Sequence, residues 1–462
     1  METFKFPFSY IIELNESVIM NNRQKEERKH TMNEKKQSKI GYRDILHQVE
    51  YMKMMIAALI NRFGDSIDAI ASTWIVYEIT GNAAWSALIY GVNKVPSIIV
   101  TPLAGAWVEG RKKKTIMIVT DLIRAVCVAF VATGYLMGFL QAWMLILTTL
   151  VISTVEAFRG PANASLTPKV LKEEYFEYGM SLSATLSSVV ELIGTATAAG
   201  IIAVIGTSGA IYVDMATFLL SAFLIAFVNT KEQNLVVQKF DAKAYTKDLA
   251  DGFVYVKKDK MISLFLLLAV FLNGILVPLN ALQAPFANEV LKGGAEVLSM
   301  IGISTTVGML LGSVTYPALC KLVSGKAIWV IGGSGLTLFY IALPLFSPLY
   351  TNKILMYGCT IVFSAFLGYT VALVNAHLNV FSVKRIKREY LARISGIATA
   401  VSVASMPIAS FLASGVASCV KTETIFIVSG LLALVVSVSM FFSKTLEDKE
   451  EKTEAMEEAF AE

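Results

Sequence analysis

Ten charged side chains interrupt the apolar stretches of the first half of this chain: Arg62, Asp65, Asp68, Lys94, Asp121, Arg124, Glu156, Arg159, Glu191 and Asp214. A charge at the centre of a hydrocarbon layer costs about 2.5–3.5 kcal/mol, so each needs a partner or a task. Asn61, Asp65, Asp68 and Ser72 recur at spacings of 4, 3 and 4, which puts them on one face of a helix. That face is expected to line a water-filled cavity. Two carboxyls one turn apart, away from water, repel each other when both are ionised. One of them can hold a proton and release it when the site faces the other side of the membrane. A salt bridge from Arg62 or Lys94 is the competing reading of the same residues.

Lys94 lies deep in its apolar stretch and is expected to act as the counter-charge to Asp65 and Asp68. Glu191 has Ser187, Ser188 and Thr195 around it and is a further candidate, either for the coupling ion or for contact with a cationic substrate. Asp121 and Arg124, and likewise Glu156 and Arg159, stand three residues apart near the inner ends of their spans. Both pairs read as an inner gate that bridges when the cavity faces outward and parts when it opens inward. The second half has no comparable central charge. It offers Asn273, Asn280, Gln283 and Asn375 with the aromatics Phe271, Phe286, Phe366 and Tyr369. Neutral amides among aromatic rings suit a bulky amphiphile.

The elements that must carry these residues follow from composition. The chain has 462 residues, of which 55% are hydrophobic and 16% charged, against about 25% charged in soluble proteins. The charges collect at the ends: residues 1–50 hold 9 Lys/Arg and 8 Asp/Glu, and residues 443–462 hold 3 and 8. What remains is a multi-pass membrane chain. Twelve apolar spans are predicted at 51–79, 83–108, 115–137, 141–163, 178–205, 209–228, 258–285, 296–320, 327–346, 352–377, 391–418 and 422–442. They form an all-α protein of two six-helix halves, 51–228 and 258–442. A linker, 229–257, joins the halves, and polar tails, 1–50 and 443–462, flank them. Within the linker, Tyr245 to Val256 can form an amphipathic helix on the membrane surface. Alternate linkers carry most of the basic residues, Arg111 to Lys114 above all, while the others carry only Lys292, Lys353 and Lys421. Basic linkers stay in the cytoplasm, so both termini are expected there. Cys127, Cys320, Cys359 and Cys419 are scattered through apolar segments and form no disulfide or metal-ligand pattern.

The hinge between the second and third spans carries a resemblance. Gly105, Glu109, Lys113, Lys114, Asp121 and Arg124 form the pattern Gly, acid, basic turn, then Asp-Leu-x-Arg. It resembles the loop between helices 2 and 3 of major facilitator superfamily transporters, in particular the bacterial macrolide-efflux and siderophore-exporter branch. Arg62-Phe-Gly-Asp-Ser-Ile-Asp68 with Trp74 to Gly81, and Phe158 to Pro168, resemble that family's first helix and the end of its fourth. Glu109 stands where the family usually has Asp, and Gly110 where a basic residue is usual. The resemblance implies the major facilitator fold, with Glu109 joining the inner gate at the positive end of span eleven. It also implies alternating access. Many antiporters of the superfamily carry a Gly-Pro motif in span five, and the stretch Gly194 to Gly200 lacks the proline.

Together these features predict a secondary transporter of the bacterial plasma membrane, acting as a monomer. Its expected work is to exchange protons, or Na⁺, for hydrophobic or amphiphilic drugs such as macrolides. Export of a siderophore, a lysolipid or another metabolite is the alternative, and a transporter-like receptor that moves nothing is a third. The chain has no Walker A loop, no His-Glu-x-x-His and no Gly-x-Ser-x-Gly, so neither ATPase nor hydrolase chemistry is expected, nor any cofactor, catalytic metal or nucleic-acid partner.

Overall fold

The computed structural model describes residues 42–230, 260–385 and 388–442. All its regular elements there are helical, and each predicted span is matched by one helix. The first half contains α1 (Val49–Thr80), α2 (Ala83–Glu109), α3 (Lys113–Leu136) and α4 (Ala142–Val170). A continuous stretch, Phe176–Ala226, follows, and Gly206 breaks it at φ 75° and ψ 170° into α5 (176–205) and α6 (207–226). The second half contains α7 (Lys260–Ala281), α8 (Ala295–Leu319), α9 (Gly325–Thr337), α10 (Lys353–Arg385), α11 (Arg388–Ala417) and α12 (Thr422–Phe441). The helix α9 runs on through a π turn, Leu338–Ala342. The proposed surface helix in the linker lies outside the described residues, as do both tails beyond residue 41 and residue 442.

Local chemistry sets the helix ends. Gly81 closes α1 in the left-handed conformation, φ 58°, and donates its N–H to the Tyr77 carbonyl. Asn82 caps α2 by accepting from the Ala84 N–H. On the basic side, α6 ends against lysines. Lys114 donates to the carbonyls of Ala226 and Val228, at 2.7 and 2.9 Å, and Lys53 donates to Phe227 at 3.0 Å. Cations on the last carbonyls of a helix complement its dipole. Glu50 joins this junction, accepting from the Asn229 N–H at 2.6 Å and from Lys53 at 2.9 Å. Burial pushes its carboxyl up, but these donors outweigh it and hold the carboxyl below its ordinary value.

The packing is asymmetric across the membrane. Toward the side away from the basic loops, one core runs through both halves, from Ile67, Ile75 and Phe218 to Phe286, Tyr340 and Phe426. Here Ser410 and Ser414 of α11 donate to the Ala87 and Ala84 carbonyls of α2, at 2.5 and 2.8 Å, and Tyr77 donates to Glu289 at 2.8 Å. Toward the basic side the core divides. One cluster, with Tyr51, Met117 and Leu166, belongs to the first half. Two others, around Trp329 and Leu373, belong to the second. Among the described residues, the shared core therefore joins the halves at the end away from the basic loops.

Candidate functional site

The charged face of α1 turns into its own half. Asn61 is 3% exposed, and the cavity position expected for it is corrected: it packs among α3, α4 and α6. With its amide oxygen toward Arg159 (2.7 Å) and Ser221 (3.2 Å), its nitrogen donates to the Thr217 carbonyl at 3.2 Å. The residues of α1 that stay exposed on the adjoining face are Arg62 and Ala69. Asp65 sits at the edge between the two faces, with a third of its side chain accessible. Asp68 is half-buried and accepts from the Ser72 hydroxyl at 2.7 Å.

Ion pairs cross between helices. Arg124 of α3 donates to Asp65 of α1 at 2.7 Å, and its guanidinium lies 4.1 Å from the centre of the Phe218 ring. Arg159 of α4 grips Asp121 of α3 with two bonds, of 2.5 and 3.3 Å. The Ser221 hydroxyl donates to Asp121 at 2.7 Å. Three members of the two expected gate pairs, Asp121, Arg124 and Arg159, thus pair with residues on other helices of the same half. Asp121 is fully buried and Arg124 only 6% exposed, so this network is a packed polar core. Arg62 and Glu191 join α1 to α5 through an ion pair whose two ends are 45% and 41% accessible. A pair that open, in mid-span, belongs on the wall of a wet space.

Lys94 takes a different place from the one expected. It lies over the Tyr90 ring, 5.2 Å from the centroid. Arg124 is the cation that pairs with Asp65 of α1. Glu156 of α4 is exposed. The backbone of Glu109 ends α2, and its side chain lies outside the described residues.

In the second half, Asn280 and Asn375 are exposed, and Asn273 and Gln283 are half-buried. The amides of Asn273 and Asn280 donate back to their own helix, to Ala269 and Leu276, at 2.8 and 3.0 Å. Phe271 is 52% exposed. Phe286 is no wall residue: it is fully buried and stacks flat on Phe426, with centroids 4.0 Å apart. Among the described residues no group of His, Cys, Asp or Glu is arranged to hold a metal.

The sequence reading undervalued α6. Asp214, Thr217, Phe218 and Ser221 line one face of it: Asp214 and Thr217 press against Gly64 of α1, Phe218 lies under Arg124 of α3, and Ser221 donates to Asp121 of α3. Their spacing of i, i+3, i+4 and i+7 was the available signal.

Comparisons with known proteins agree with this architecture. Residues 54–410 match the family model described as Major Facilitator Superfamily. Macrolide efflux protein A of Streptococcus pyogenes is 23% identical over 369 residues, covering 80% of this chain and 89% of its own. Multidrug efflux pump Tap of Mycolicibacterium fortuitum is 20% identical, covering 86% of this chain and 96% of its own. Among solved structures, nucleoside transporter NupG superposes with a TM-score of 0.67 at 12% identity, over 86% of this chain and all of that one. A bacterial homologue of the iron transporter ferroportin, in an inward-facing state, gives 0.63 at 14%, over 85% and 99%.

Proposed function

The chain belongs to the major facilitator superfamily, and on that premise we propose that it exports hydrophobic or amphiphilic drugs, macrolides among them, in exchange for protons. The two halves, 51–228 and 258–442, rock about a cavity, with both termini and the linker 229–257 on the cytoplasmic side of the bacterial plasma membrane. The monomer is the working unit. The substrate meets a wall that is charged on one side, at Arg62 and Glu191, and neutral on the other, at Asn280 and Asn375.

One observation carries the proton-coupled reading. The first half encloses more carboxyls than it has cations to pair with them, and Asp65, at the margin of that interior, is open to the cavity. A buried carboxylate without a cation is costly enough that it takes up a proton instead. Such a site loads and unloads as the cavity changes sides. The kinship with macrolide and multidrug efflux proteins supports the substrate class.

The experiment is uptake of a radiolabelled macrolide into inverted membrane vesicles. Uptake is expected when the vesicle lumen is acidified and is expected to collapse with a protonophore. Uptake that ignores the protonophore overturns proton coupling. No uptake of any macrolide or other amphiphilic drug overturns the substrate class.

A further inference from the structure

The ion pairs of the first half include Lys53–Glu50, Arg62–Glu191, Arg124–Asp65 and Arg159–Asp121. Asp68 of α1 and Asp214 of α6 belong to none. Asp68 accepts from the Ser72 hydroxyl, and Asp214 from the Thr217 hydroxyl at 3.2 Å, a hydroxyl already shared with the Asp214 carbonyl at 2.7 Å. Asp214 is 1% exposed.

The two helices meet closely at this point. A side chain at Gly64 would collide with the carboxylate Oδ1 of Asp214 and the hydroxyl of Thr217. Asp214 therefore leans on the backbone of α1 at Gly64, and Asp68 stands one turn further along the same face. Asp65 and Asp68 follow Gly64 by one and four positions on α1, so both stand close to where Asp214 rests. The groups around this pair are Asp65 on α1, Arg124 on α3 and the hydroxyls of Ser72 and Thr217, while Asp121 on α3 and Arg159 on α4 stand beside Ser221 and Asn61. Arg159 and Asp121 satisfy each other. Arg124 is then the one cation near the pair, and it is committed to Asp65 through Nη2. Its Nε is buried and has no hydrogen-bond partner. A buried guanidinium donor without an acceptor costs about 1–3 kcal/mol or more. It marks a second position for an anionic oxygen beside Arg124.

The geometry points to a carboxyl pair, half-buried Asp68 with buried Asp214, as the holder of the exchanged proton, with Arg124 moving onto the pair when the proton leaves. This rests on the proton-coupled reading above and names the residues within it. In the loaded state an O–H bond on one of the two carboxyls keeps the pair from carrying two negative charges. On release that O–H bond breaks, the proton passes to cavity water by way of the Asp65 edge, and Arg124 pairs with the carboxylate left behind. Asp65 is then freed toward the cavity. Loading runs the same steps backward. No oxidant, metal or other reactant is involved.

The test uses the full chain, purified and reconstituted, with Asp68→Asn and Asp214→Asn. Infrared spectra are titrated from acid to alkaline pH, and erythromycin uptake into proteoliposomes is driven by an imposed pH gradient. The parent protein is expected to show a protonated-carboxyl band that disappears as pH rises. Each variant is expected to lose that band and lose gradient-driven uptake, while downhill erythromycin exchange persists. A folded Asp214→Asn protein that keeps both the band and driven uptake overturns the pair and leaves proton coupling to Asp65 or Glu191. A parent protein whose uptake does not respond to the pH gradient overturns the coupling and the pair together. If Asp214→Asn does not fold, the Asp68→Asn spectrum decides: an unchanged band overturns the proposal.

Discussion

Removing Arg159 is expected to unfold the first half rather than unlatch a gate. Asp121 is wholly buried, and its carboxylate is held by two bonds from Arg159, one from Ser221 and no water-exposed edge. Arg159→Met takes away the cation and leaves the anion where water cannot reach it. Breaking one side of a buried pair costs about 3–5 kcal/mol. For a unit the size of one half, that is a fall in the thermal midpoint of roughly 10 °C. Ser221→Ala removes one hydroxyl bond to the same carboxylate, worth about 1.5–3 kcal/mol, and should lower the midpoint less. The informative variant is the double replacement Asp121→Asn with Arg159→Met. It removes both charges and should regain much of the loss, because a neutral amide can still accept from Ser221. The assay is thermal unfolding of the purified protein in detergent, read alongside distance measurements between the halves. Refutation has a clear form: an Arg159→Met protein as stable as the parent, but with altered spacing between the halves, would restore the gate reading and contradict the packed-core assignment.

Other consequences can be checked with single substitutions. Gly64→Ala places a methyl against Asp214 and Thr217, and overpacking of this kind costs about 1–3 kcal/mol, seen as a lower thermal midpoint. Glu50→Gln should weaken the junction between α1 and the start of the linker, because the lysine and the Asn229 N–H lose a charged acceptor. Since that carboxyl sits below its ordinary value, its contribution is present above the unfolded-state value and is lost as pH falls through the folded one. Parent and variant midpoints should therefore converge in acid and separate toward neutral pH, and parallel curves would contradict the assignment. A cysteine at Lys112 should react with an impermeant reagent only from the cytoplasmic face, and one at Lys421 only from outside. The reverse labelling pattern would invert the orientation.

Much of the fold was legible because hydropathy and turn residues act locally. The gap read between spans five and six is the break at Gly206, and Gly81 with Asn82 divides the first two helices as their chemistry requires. The candidate site was legible only as an inventory. Periodicity showed that Asn61, Asp65 and Asp68 share a face, but it carries no information about which neighbour that face meets. They turned toward α3, α4 and α6, leaving Arg62 on the open side. Partner choice was hidden for the same reason: Arg124 reaches Asp65 across 59 positions of sequence and Arg159 reaches Asp121 across 38. Asp214 stands only about five residues into the predicted sixth span, and nothing local marks it as part of the charged interior. The close approach of Gly64 makes it interior, and that depends on the packing of two helices far apart in the chain. Phe286 misled in the opposite direction, since an aromatic ring serves a cavity wall and a stacked core equally well.

The central claim is that drug and proton move in opposite directions through this protein. It is read most directly by a pH-sensitive dye trapped inside proteoliposomes of the purified protein. A macrolide added outside should be carried in and protons carried out, so the lumen should turn alkaline faster and further than in protein-free liposomes. Macrolide accumulation without any protein-dependent change in luminal pH would contradict proton exchange.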